Sequence, residues 1–493
     1  MRLEKIICDL EEVEKIEGEV GVEIRGICYD SRKADKDFLF VAIKGFKEDG
    51  HKFIPDAYKK GVRAFVIEEE SHFLLPDVTW IKVSSSRKAL ARISNIFYGF
   101  PSRELKVVGI TGTNGKTTLT YLLQSIFNRT GVKTGRLSTI NYDVGGKIHP
   151  AIATTPESLD LQMFLKEMLD RGVSHVFMEV SSHSLVLHRV DGVDFRWAVF
   201  TNLSPEHLDF HRSMEDYFKA KLKLFRMMLP DRRALVNLDD SYGKRILKQV
   251  RCPAVTYGIK NNADYKVTDF NVEGSRTCFK VKIRGKEEKF RIFLPGIHNI
   301  YNALAALALA VEEGVDIEII KKGLENVRRV PGRLERIENK AGFNIYVDYA
   351  HTPSSLEQVL DNLQRLKKGR LIVVFGCGGD RDPYKRPVMG KIAFRMADYV
   401  VVTSDNPRSE DPLKIILDIE KGIKEEGAKR DIDYTIIPDR KEAIKFALEK
   451  LRENDTLLVA GKGHEKVQIF KDKVVPFDDR EVTRRLLKER DLL

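Results

Sequence analysis

The segment VVGITGTNGKTTLTYLLQSIF, residues 107–127, constrains the fold more than any other part of the chain. The run from Lys106 to Ile110 predicts a short buried strand, and Gly112 and Gly115 in the following turn allow positive φ and close backbone approach. After the turn, apolar residues recur on one helix face, at Leu119, Leu122, Leu123, Ile126 and Phe127. We therefore predict a strand, a glycine turn and a helix that stops near Gly131.

The turn carries the residue types of a phosphate-binding loop. In TGTNGKTT, backbone N–H groups and the helix N-terminus would face an anion. Lys116 would reach the outer phosphates of a nucleotide, and Thr117 would ligate magnesium. The general pattern G-x-x-x-x-G-K-S/T has glycine at position 110, where this chain has Ile110, so the loop is a compressed variant. A plain glycine turn is the alternative, but it does not explain why Gly, Lys and Thr are in register.

Length and charge narrow the class of protein. With 493 residues, 42% hydrophobic and 32% charged, the chain is expected to form about two to four globular domains. The net charge of +11 suits an anionic ligand such as a nucleotide, and also nucleic acid. No block of Lys and Arg stands out, so small anions are favoured. The longest apolar run, residues 300–311, is too short to span a bilayer.

The cysteines and the N-terminus indicate a cytoplasmic protein. Cysteines are scattered without a C-x-x-C pair, at Cys8, Cys28, Cys252, Cys278 and Cys377. This distribution fits a reduced compartment better than a disulfide or zinc framework. The first residues, MRLEKIICDLEEVEKIEG, are charged throughout and are not typical of a signal peptide.

Three segments are predicted along the chain. Residues 1–100 contain the strands DFLFVAI and RAFVIEE and the helix RKALARISNIFYG, and Pro101 discourages helix continuation. Residues 101–330 open with the phosphate loop, and VPGRLERIE marks the next boundary. Residues 331–493 alternate the strands RLIVVFG, ADYVVVTS and DTLLVAG with helices, which predicts a parallel sheet covered by helices. Because ligands bind beyond the carboxyl ends of such strands, the turns GCGGDRD, SDNPRSEDP and GKGHEKVQ are candidate binding loops.

Polar side chains also follow apolar runs of the middle segment. Glu179 follows one run in SHVFMEVSSHSL, and His207, Asp209 and His211 follow another in AVFTNLSPEHLDFH. A carboxylate and an imidazole near a phosphate loop can hold magnesium and position a γ-phosphate. Taken singly, such residues are more typical of helix caps or satisfied core groups. Lys221 in MEDYFKAKLKLF is, by itself, an ordinary surface lysine.

Seven motifs occur in order along nearly the whole chain: GITGTNGKTT, EVSSHSLVLHRV, TNLSPEHLDFH, GIHNIYNALAA, GRLE, DYAHTP and SDNPRSEDP. Together they resemble the Mur ligase family, most closely its members that add the third amino acid of the cell-wall peptide. The resemblance implies an α/β fold with three domains: a small α/β UDP-substrate domain (1–100), a central P-loop ATPase domain (101–330) and a Rossmann-like amino-acid-binding domain (331–493). It also implies that ATP phosphorylates the D-glutamate carboxylate of UDP-MurNAc-L-Ala-D-Glu, and that an amine attacks the acyl phosphate.

The resemblance assigns roles around the phosphate loop. It implies ATP contacts at Gly112, Thr113, Asn114, Gly115, Lys116, Thr117, Thr118, Asn302, Arg333 and Asp348, with His351 assisting. It implies two magnesium sites and the catalytic group, from Lys116, Thr117, Glu179, His207 and Lys221. In the family this last lysine becomes N6-carboxylysine, and the carbamate is an anion that can help hold the second metal. Contacts from the third domain would complete the ATP site on closure and exclude water from the acyl phosphate.

The UDP-substrate contacts also come from the resemblance. They are Tyr29, Ser31, Thr154, Thr155, Ser181, Leu187 and Arg189. Leu187 departs from the family pattern, which has glutamine at this position, so one polar contact to the peptide is lost. A turn residue at Ser31 and a helix cap at Thr154 are the structural alternatives.

The resemblance also implies a binding site for the third substrate, and the charges of that site indicate which amino acid it takes. The implied contacts are Arg381, Asp405, Asn406, Pro407, Arg408, Gly461 and Glu465. Family members with the motif DNPR generally add meso-diaminopimelate, and many lysine-adding members lack its arginine. Arg408 can grip the far carboxylate of diaminopimelate bidentately, whereas lysine would leave it unpaired. A site of this kind can reject the analogue by roughly 10⁴-fold.

Three alternatives stay open. The same reaction with L-lysine differs only in the third substrate. Another amide ligase with this core, such as a folylpolyglutamate synthase or MurF, fits less well with the N-terminal segment and the DNPR motif. A P-loop ATPase acting on nucleic acid would show salt-sensitive stimulation by DNA or RNA, but the chain has no recognisable nucleic-acid module. The resulting prediction is a monomeric cytoplasmic enzyme that acts on neither nucleic acid nor membrane.

Overall fold

A computed structural model of the chain describes residues 1–45, 48–69, 75–273 and 276–493. These residues form three sheets in succession, with five, eleven and six strands, and a separate two-stranded hairpin. Helices cover the sheets, and the predicted α/β class is confirmed. Residues 100 and 330, the predicted boundaries, lie between successive sheets.

The first sheet has the strand order β1-β5-β4-β3-β2, and only β1 runs antiparallel to its neighbour. Its elements are α1 (Leu3–Ile7), β1 (Val13–Glu17), β2 (Gly26–Cys28), β3 (Phe38–Val41), α2 (Ile54–Lys59), β4 (Ala64–Ile67), β5 (Thr79–Val83) and α3 (Ser86–Phe97). The side chain of Ser85 caps α3 by accepting from Lys88 N, and the helix buries Leu90 and Ile93 against the sheet. The predicted strands DFLFVAI and RAFVIEE lie at β3 and β4.

The central sheet has the order β16-β15-β14-β13-β12-β11-β6-β10-β7-β8-β9. Its strands are β6 (Lys106–Thr111), β7 (Thr134–Leu137), β8 (Asn141–Val144), β9 (Lys147–Pro150), β10 (His175–Glu179), β11 (Phe195–Phe200), β12 (Arg233–Asn237), β13 (Ala254–Gly258), β14 (Tyr265–Glu273), β15 (Arg276–Ile283) and β16 (Lys286–Ile292). Its helices are α4 (Lys116–Asn128), α5 (Ser158–Asp170), α6 (Ser182–Val186), α7 (Leu208–His211), α8 (Met214–Arg226), α9 (Ser241–Leu247), α10 (Ile297–Glu312) and α11 (Ile317–Asn326). Strand β6 lies parallel between β10 and β11, so the residues that follow all three strands meet at one edge.

The predicted strand and helix around the phosphate loop are β6 and α4. Helix α4 ends at Asn128, three residues before the predicted stop at Gly131. The apolar run 300–311 lies in α10 and is buried in the central core. In the described part of the chain, no helix combines the length and apolarity that crossing a membrane requires.

The third sheet has the order β17-β18-β22-β19-β20-β21 and is parallel except for β17. The sheet and its helices are β17 (Glu335–Ile337), β18 (Asn344–Asp348), α12 (Pro353–Leu366), β19 (Leu371–Phe375), α13 (Lys385–Met396), β20 (Tyr399–Val402), α14 (Pro412–Glu425), β21 (Tyr434–Ile436), α15 (Arg440–Lys450), β22 (Thr456–Ala460) and α16 (Asp479–Lys488). The separate hairpin consists of β23 (Val467–Ile469) and β24 (Val474–Pro476). The three predicted strands are β19, β20 and β22. They are neighbours, so the loops after them converge at the carboxyl edge.

Candidate active site

The loop after β6 is built for close approach of an anion. Gly112 and Gly115 have φ of +147° and +89°. A Cβ on Gly112 would lie 1.9 Å from Thr201 Oγ1, and one on Gly115 would lie 2.4 Å from Asn302 Oδ1. The Lys116 ammonium folds over the loop and donates to Gly112 O at 2.9 Å and Thr113 O at 2.8 Å. The glycine cradle and its overhanging cation fit the phosphates of a nucleotide.

We expect Gly112→Ala to lower kcat/KM for ATP by about 10²-fold, because the collision displaces the loop by an ångström or more. Gly131→Ala is the matched control, since Gly131 also has positive φ, +85°, but no described atom lies within 4 Å of its Cβ position. The control should cost about 1–2 kcal/mol of stability and leave kcat/KM unchanged. Steady-state kinetics and thermal melts of both variants measure these effects. Equal kinetic losses in the two variants would contradict a specific role for the Gly112 cradle.

A second lysine lies beneath the same loop. Lys221, on α8, is 1% exposed, and its ammonium donates to Gly112 O at 2.8 Å. Within the described residues, no carboxylate oxygen lies within 4.0 Å of this ammonium. Burial and the neighbouring Lys116 hold the pKa of Lys221 well below its usual value. The pKa of Lys116 is lowered as well, chiefly by burial. A neutral amine at Lys221 is the form that reacts with carbon dioxide.

The Glu179 carboxylate, at the end of β10, reaches the start of α4. It is 1% exposed and accepts from Thr117 Oγ1 at 2.8 Å, from Thr139 N at 2.8 Å and from Thr139 Oγ1 at 3.1 Å. Arg333, from the third domain, donates to Thr117 Oγ1 at 3.1 Å. The Thr117 hydroxyl and Glu179 are oxygen donors of the kind that magnesium binds, directly beside the phosphate loop.

His207 faces the loop from the opposite side. It precedes α7 with φ of +57°, and 42% of its side chain stays open to the cavity. The surrounding protein and then the ammonium groups of Lys221 and Lys116 lower the pKa of His207 to about 3, so the imidazole is neutral and can act as a ligand. In the described residues, no three His, Cys, Asp or Glu side chains are grouped to hold a metal.

The first cavity lies over the phosphate loop and is closed by the third domain. Its lining includes predicted ATP residues, namely Thr113, Asn114, Gly115, Lys116, Thr117, Thr118, Asn302, Arg333 and Asp348. Asp348 accepts from Leu334 N at 2.6 Å and Ala350 N at 2.7 Å, and burial raises its pKa. Gly112, which was also predicted to contact ATP, is not among the residues that line this cavity.

Direct contacts hold the central and third domains together around this cavity. Asn114 Nδ2 donates to Gln358 Oε1 at 3.3 Å, and the hydroxyls of Ser354 and Ser204 are 3.0 Å apart. Together with the contact from Arg333 to Thr117, they hold the third domain closed over the phosphate loop.

The predicted UDP-substrate residues are only partly brought together. Thr154 and Ser181 line the first cavity. Thr155 lies buried beside them, where its hydroxyl donates to Glu179 O at 2.9 Å. Arg189 donates to Thr155 O at 3.2 Å and pairs with Glu157 at 3.2 Å.

The other predicted UDP-substrate residues lie further out. Tyr29, in the first domain, donates to Asp160 in the first turn of α5 at 2.5 Å. Ser31 lies two residues later at the start of a 3₁₀ turn and lines neither cavity described here. Leu187 ends α6 and is half-buried, and neither cavity includes it. Thr154 caps no helix, since Glu157 is the N-cap of α5.

The second cavity, of about 620 Å³, lies at the carboxyl edge of the third sheet. Six of the seven residues predicted to bind the third substrate line it: Arg381, Asp405, Asn406, Arg408, Gly461 and Glu465. The seventh, Pro407, packs behind, with its carbonyl 1.9 Å from where a Cβ on Gly379 would lie. Arg381 is exposed at the rim.

The DNPR loop is held in shape by its neighbours. Arg408 has φ of +54°, its N–H donates to Ile469 O at 3.0 Å, and its guanidinium donates to Gly379 O at 2.7 Å. Beneath the loop, the fully buried Arg440 pairs with Asp479 at 2.8 Å. Its guanidinium also donates to Ser404 O, just before the DNPR motif, at 3.4 Å and to Ala460 O, at the end of β22, at 2.9 Å. These contacts fix the guanidinium of Arg408 toward the cavity before any ligand binds.

The two cavities share one wall, formed by Glu206, His207, Tyr349 and His351. Glu206 Oε1 lies 3.7 Å from His207 Nε2 and 3.8 Å from His351 Nε2. Burial and then Lys385 lower the pKa of His351 to about 4, so this imidazole is neutral too. The phosphate loop and the DNPR loop therefore face a common space.

Sequence reasoning missed several residues of this site. Glu206 and Thr139 were not predicted, although Glu206 adjoins His207 in SPEHLDFH and could have been found from that position. Lys462 lies between the predicted residues Gly461 and Glu465, but its contact with Asn406, 56 residues away, could not be predicted from the local sequence.

The chain matches three family models in succession. Residues 23–98 match the model described as Mur ligase family, catalytic domain. Residues 110–310 match the Mur ligase middle domain, and residues 332–463 match the Mur ligase, glutamate ligase domain. The matches follow the order of the three sheets.

Similar proteins cover the full length. A UDP-N-acetylmuramoyl-L-alanyl-D-glutamate–2,6-diaminopimelate ligase of Caldanaerobacter subterraneus subsp. tengcongensis is 45% identical over 476 residues, which cover 96% of this chain and 97% of that protein. A solved structure of a ligase with the same name is 30% identical, with a TM-score of 0.68 over 100% of this chain and 99% of that chain. MurF from Thermotoga maritima in complex with ADP shares the fold at 20% identity, with a TM-score of 0.63 over 95% and 96% of the two chains.

Proposed function

The chain belongs to the Mur ligase family, and on this premise we propose that it joins meso-diaminopimelate to UDP-MurNAc-L-Ala-D-Glu in peptidoglycan precursor synthesis. It is an ATP-dependent, amide-bond-forming ligase. The likeness to diaminopimelate-adding relatives over the whole chain sets it apart from MurF and other amide ligases that share the fold at about 20% identity.

The shared wall of the two cavities carries this proposal. A ligase of this class must phosphorylate a carboxylate at one place and bring an amine to the same carbon before water reaches it. The phosphate loop lines one cavity, the DNPR loop lines the other, and Glu206, His207 and His351 stand between them. One acyl group held at this wall is within reach of both.

The reaction joins two anions, so positive charge is needed between them. A carboxylate oxygen of D-glutamate attacks the γ-phosphorus of ATP, and ADP leaves. The amine nitrogen then attacks the acyl carbon, loses a proton and displaces inorganic phosphate. Lys116 and Arg333 line the cavity over the phosphate loop, where we expect the transferred phosphate to lie. Their positive charge would stabilise the phosphate during its transfer. Loop N–H groups orient the nucleotide.

The residues beside the loop fit magnesium. Thr117, Glu179 and His207 offer a hydroxyl, a carboxylate and a neutral imidazole, and Lys221 as N6-carboxylysine would add a second carboxylate for a second ion. Bound magnesium supplies charge neutralisation at the phosphates. The carbamate forms when the neutral Lys221 amine adds to carbon dioxide and releases one proton. Its negative charge would then lie between Lys116 and His207, where a buried ammonium is disfavoured.

The two substrates that form the amide would be held by different parts of the chain. At the third-substrate side, Arg408 would pair with the far carboxylate of diaminopimelate, and Asp405 and Glu465 with its far ammonium. At the nucleotide-sugar side, Thr154, Ser181 and Arg189 would hold the dipeptide near the shared wall. Tyr29 and Ser31 would hold the uridine end in the first domain.

The setting of the reaction follows from its substrates. We place the enzyme in the cytoplasm, where ATP and UDP-linked precursors are made, and the five cysteines are free, as a reduced compartment requires. We also propose a monomer, the state that the resemblance to the family implies.

A ligation assay tests the proposal. Purified enzyme receives ATP, magnesium and UDP-MurNAc-L-Ala-D-Glu, with meso-diaminopimelate or L-lysine in separate reactions, and ADP and tripeptide are measured. We expect tripeptide with diaminopimelate and about 10³-fold or lower kcat/KM with lysine. If L-lysine is the better substrate, the assignment of diaminopimelate as the third substrate is wrong. If ADP release depends on DNA or RNA instead, the ligase assignment is refuted.

A further inference from the structure

Lys462 is a fully buried lysine beside the second cavity. Its side chain is 0% exposed, and its ammonium donates to Asn406 Oδ1 at 2.9 Å, Glu465 Oε2 at 2.9 Å and Val467 O at 2.7 Å. An ammonium has three N–H donors, so the protein uses all of them. Lys462 lines neither cavity described above. Any effect of Lys462 on a ligand must therefore pass through the groups that it holds.

The first of these groups is the side-chain amide of Asn406. Its oxygen accepts from Lys462 and also from Ile469 N at 3.0 Å. Its nitrogen donates to Glu465 Oε2 at 2.7 Å. A half-turn of the amide would set its NH₂ against the ammonium, so Lys462 fixes one orientation.

The second group is the carboxylate of Glu465, which lines the second cavity and is 27% exposed. Oε2 accepts from both Lys462 and Asn406. Oε1 accepts no hydrogen bond from the residues that the structure describes. Lys462 thus holds one oxygen inward, and the other keeps its lone pairs for a cation in the cavity.

We propose that Lys462 is a positioning residue for the far end of the third substrate. It holds Asn406 and Glu465 in the orientation that reads the distal ammonium and carboxylate of diaminopimelate, and this inference rests on the proposed function. Without the ammonium, Asn406 Oδ1 would keep only Ile469 N as a donor, Glu465 Oε2 would keep only the Asn406 amide, and Val467 O would lose the donor from Lys462. Three acceptors would then face one another with no cation among them, and the loops would separate. The loss would be felt at the distal centre of the substrate.

Lys462→Met removes the charge and keeps the length of the side chain. The KM for meso-diaminopimelate should rise about 10- to 100-fold, with the KM for ATP and for UDP-MurNAc-L-Ala-D-Glu within about twofold of wild type. Discrimination between meso- and LL-diaminopimelate, which differ only at one α-carbon, should fall by a similar factor. Lys462→Gln, which replaces the three ammonium donors with the two N–H donors of an amide, should show the same pattern less strongly. It covers the case in which Lys462→Met does not fold.

Arg370→Met is the matched control. Arg370 pairs with Asp455 at 2.6 Å at the opposite, amino-terminal edge of the same sheet. Its loss should lower the thermal stability of the domain and leave the KM for diaminopimelate unchanged. In a double variant, Lys462→Met with Glu465→Gln, the KM for diaminopimelate should be no higher than in the single variant with the higher KM. The reason is that both changes disrupt the same hydrogen-bonded group of Lys462, Asn406 and Glu465.

Three results would overturn the inference. One is an unchanged KM for diaminopimelate in folded Lys462→Met; another is full additivity in the double variant. The third is unfolding of both Lys462 variants while Arg370→Met stays folded, since the role would then be structural. Wild-type enzyme in the same assay distinguishes failure of the proposed function from failure of this inference. If wild type forms no tripeptide, both are refuted. If wild type is active and the Lys462 variant is unaffected, only the inference is refuted.

Discussion

Replacing Lys221 with alanine is expected to lower kcat/KM for tripeptide formation by about 10³-fold or more, with the protein still folded. The side chain is buried under the phosphate loop, bonded to Gly112 O, and its pKa is held well below the usual value. Alanine removes the functional group of Lys221 from beside Lys116, so activity should fall both if Lys221 acts as a carbamate that binds magnesium and if it acts as an amine. Folding should survive, because the change removes a buried ionisable group that has no ion-pair partner in the described residues.

Small carboxylates and a neighbouring lysine make this prediction specific. If Lys221 acts as a carbamate, formate or acetate should partly restore activity to Lys221→Ala by placing a carboxylate in the vacated space. Wild type should lose activity in buffer depleted of carbon dioxide and regain it with bicarbonate. Lys219→Ala, an exposed position on the same helix, should behave as wild type. Full activity in Lys221→Ala would remove the residue from the mechanism, and a dead variant without rescue would argue against the carbamate.

Replacing Arg408 with methionine is expected to abolish most of the preference for diaminopimelate. We expect kcat/KM for meso-diaminopimelate to fall about 10³-fold and that for L-lysine to stay the same or rise, because lysine has no far carboxylate to lose. The guanidinium is already oriented by Gly379 O and the backbone by Ile469 O, so its removal leaves the substrate carboxylate unpaired. Competition assays with both amino acids measure the ratio directly.

Backbone strain makes a control necessary for this variant. Arg408 has φ of +54°, and a change of side chain there can also disturb the loop. Arg395→Met controls for loss of an arginine from the same domain, since Arg395 is exposed on α13 and pairs with Glu426 at the end of α14. Arg408→Lys keeps the charge but not the fork, and should retain only part of the preference. An unchanged ratio of diaminopimelate to lysine in Arg408→Met would show that another group selects the substrate.

The parts of the fold set by local sequence could be predicted. The strand, turn and helix around Gly112, Gly115 and Lys116 follow from periodicity and glycine placement, and the structure has β6 and α4 at these positions. The alternation of strands and helices in the third segment also predicted the converging loops, because parallel strands align their carboxyl ends. The strand order itself was not predicted, since β6 pairs with β10 and β11, far along the chain.

The contacts that orient the site could not be predicted, because they join distant parts of the chain. Lys462 is 56 residues from Asn406, and Tyr29 is 131 residues from Asp160. Periodicity reports which face of an element is buried but not which polar groups meet there. The burial of Lys221 also escaped the sequence: its position on an amphipathic helix suggested a surface lysine, whereas the structure buries it under the loop.

The most direct test of the central claim follows one oxygen atom. UDP-MurNAc-L-Ala-D-Glu labelled with ¹⁸O in the side-chain carboxylate of its D-glutamate is converted with ATP and meso-diaminopimelate, and the inorganic phosphate is analysed by mass spectrometry. If the carboxylate attacks the γ-phosphorus and the amine then displaces phosphate, each phosphate released with a tripeptide carries one oxygen from the labelled carboxylate. Unlabelled phosphate, with tripeptide still formed, would contradict carboxylate activation at the phosphate loop.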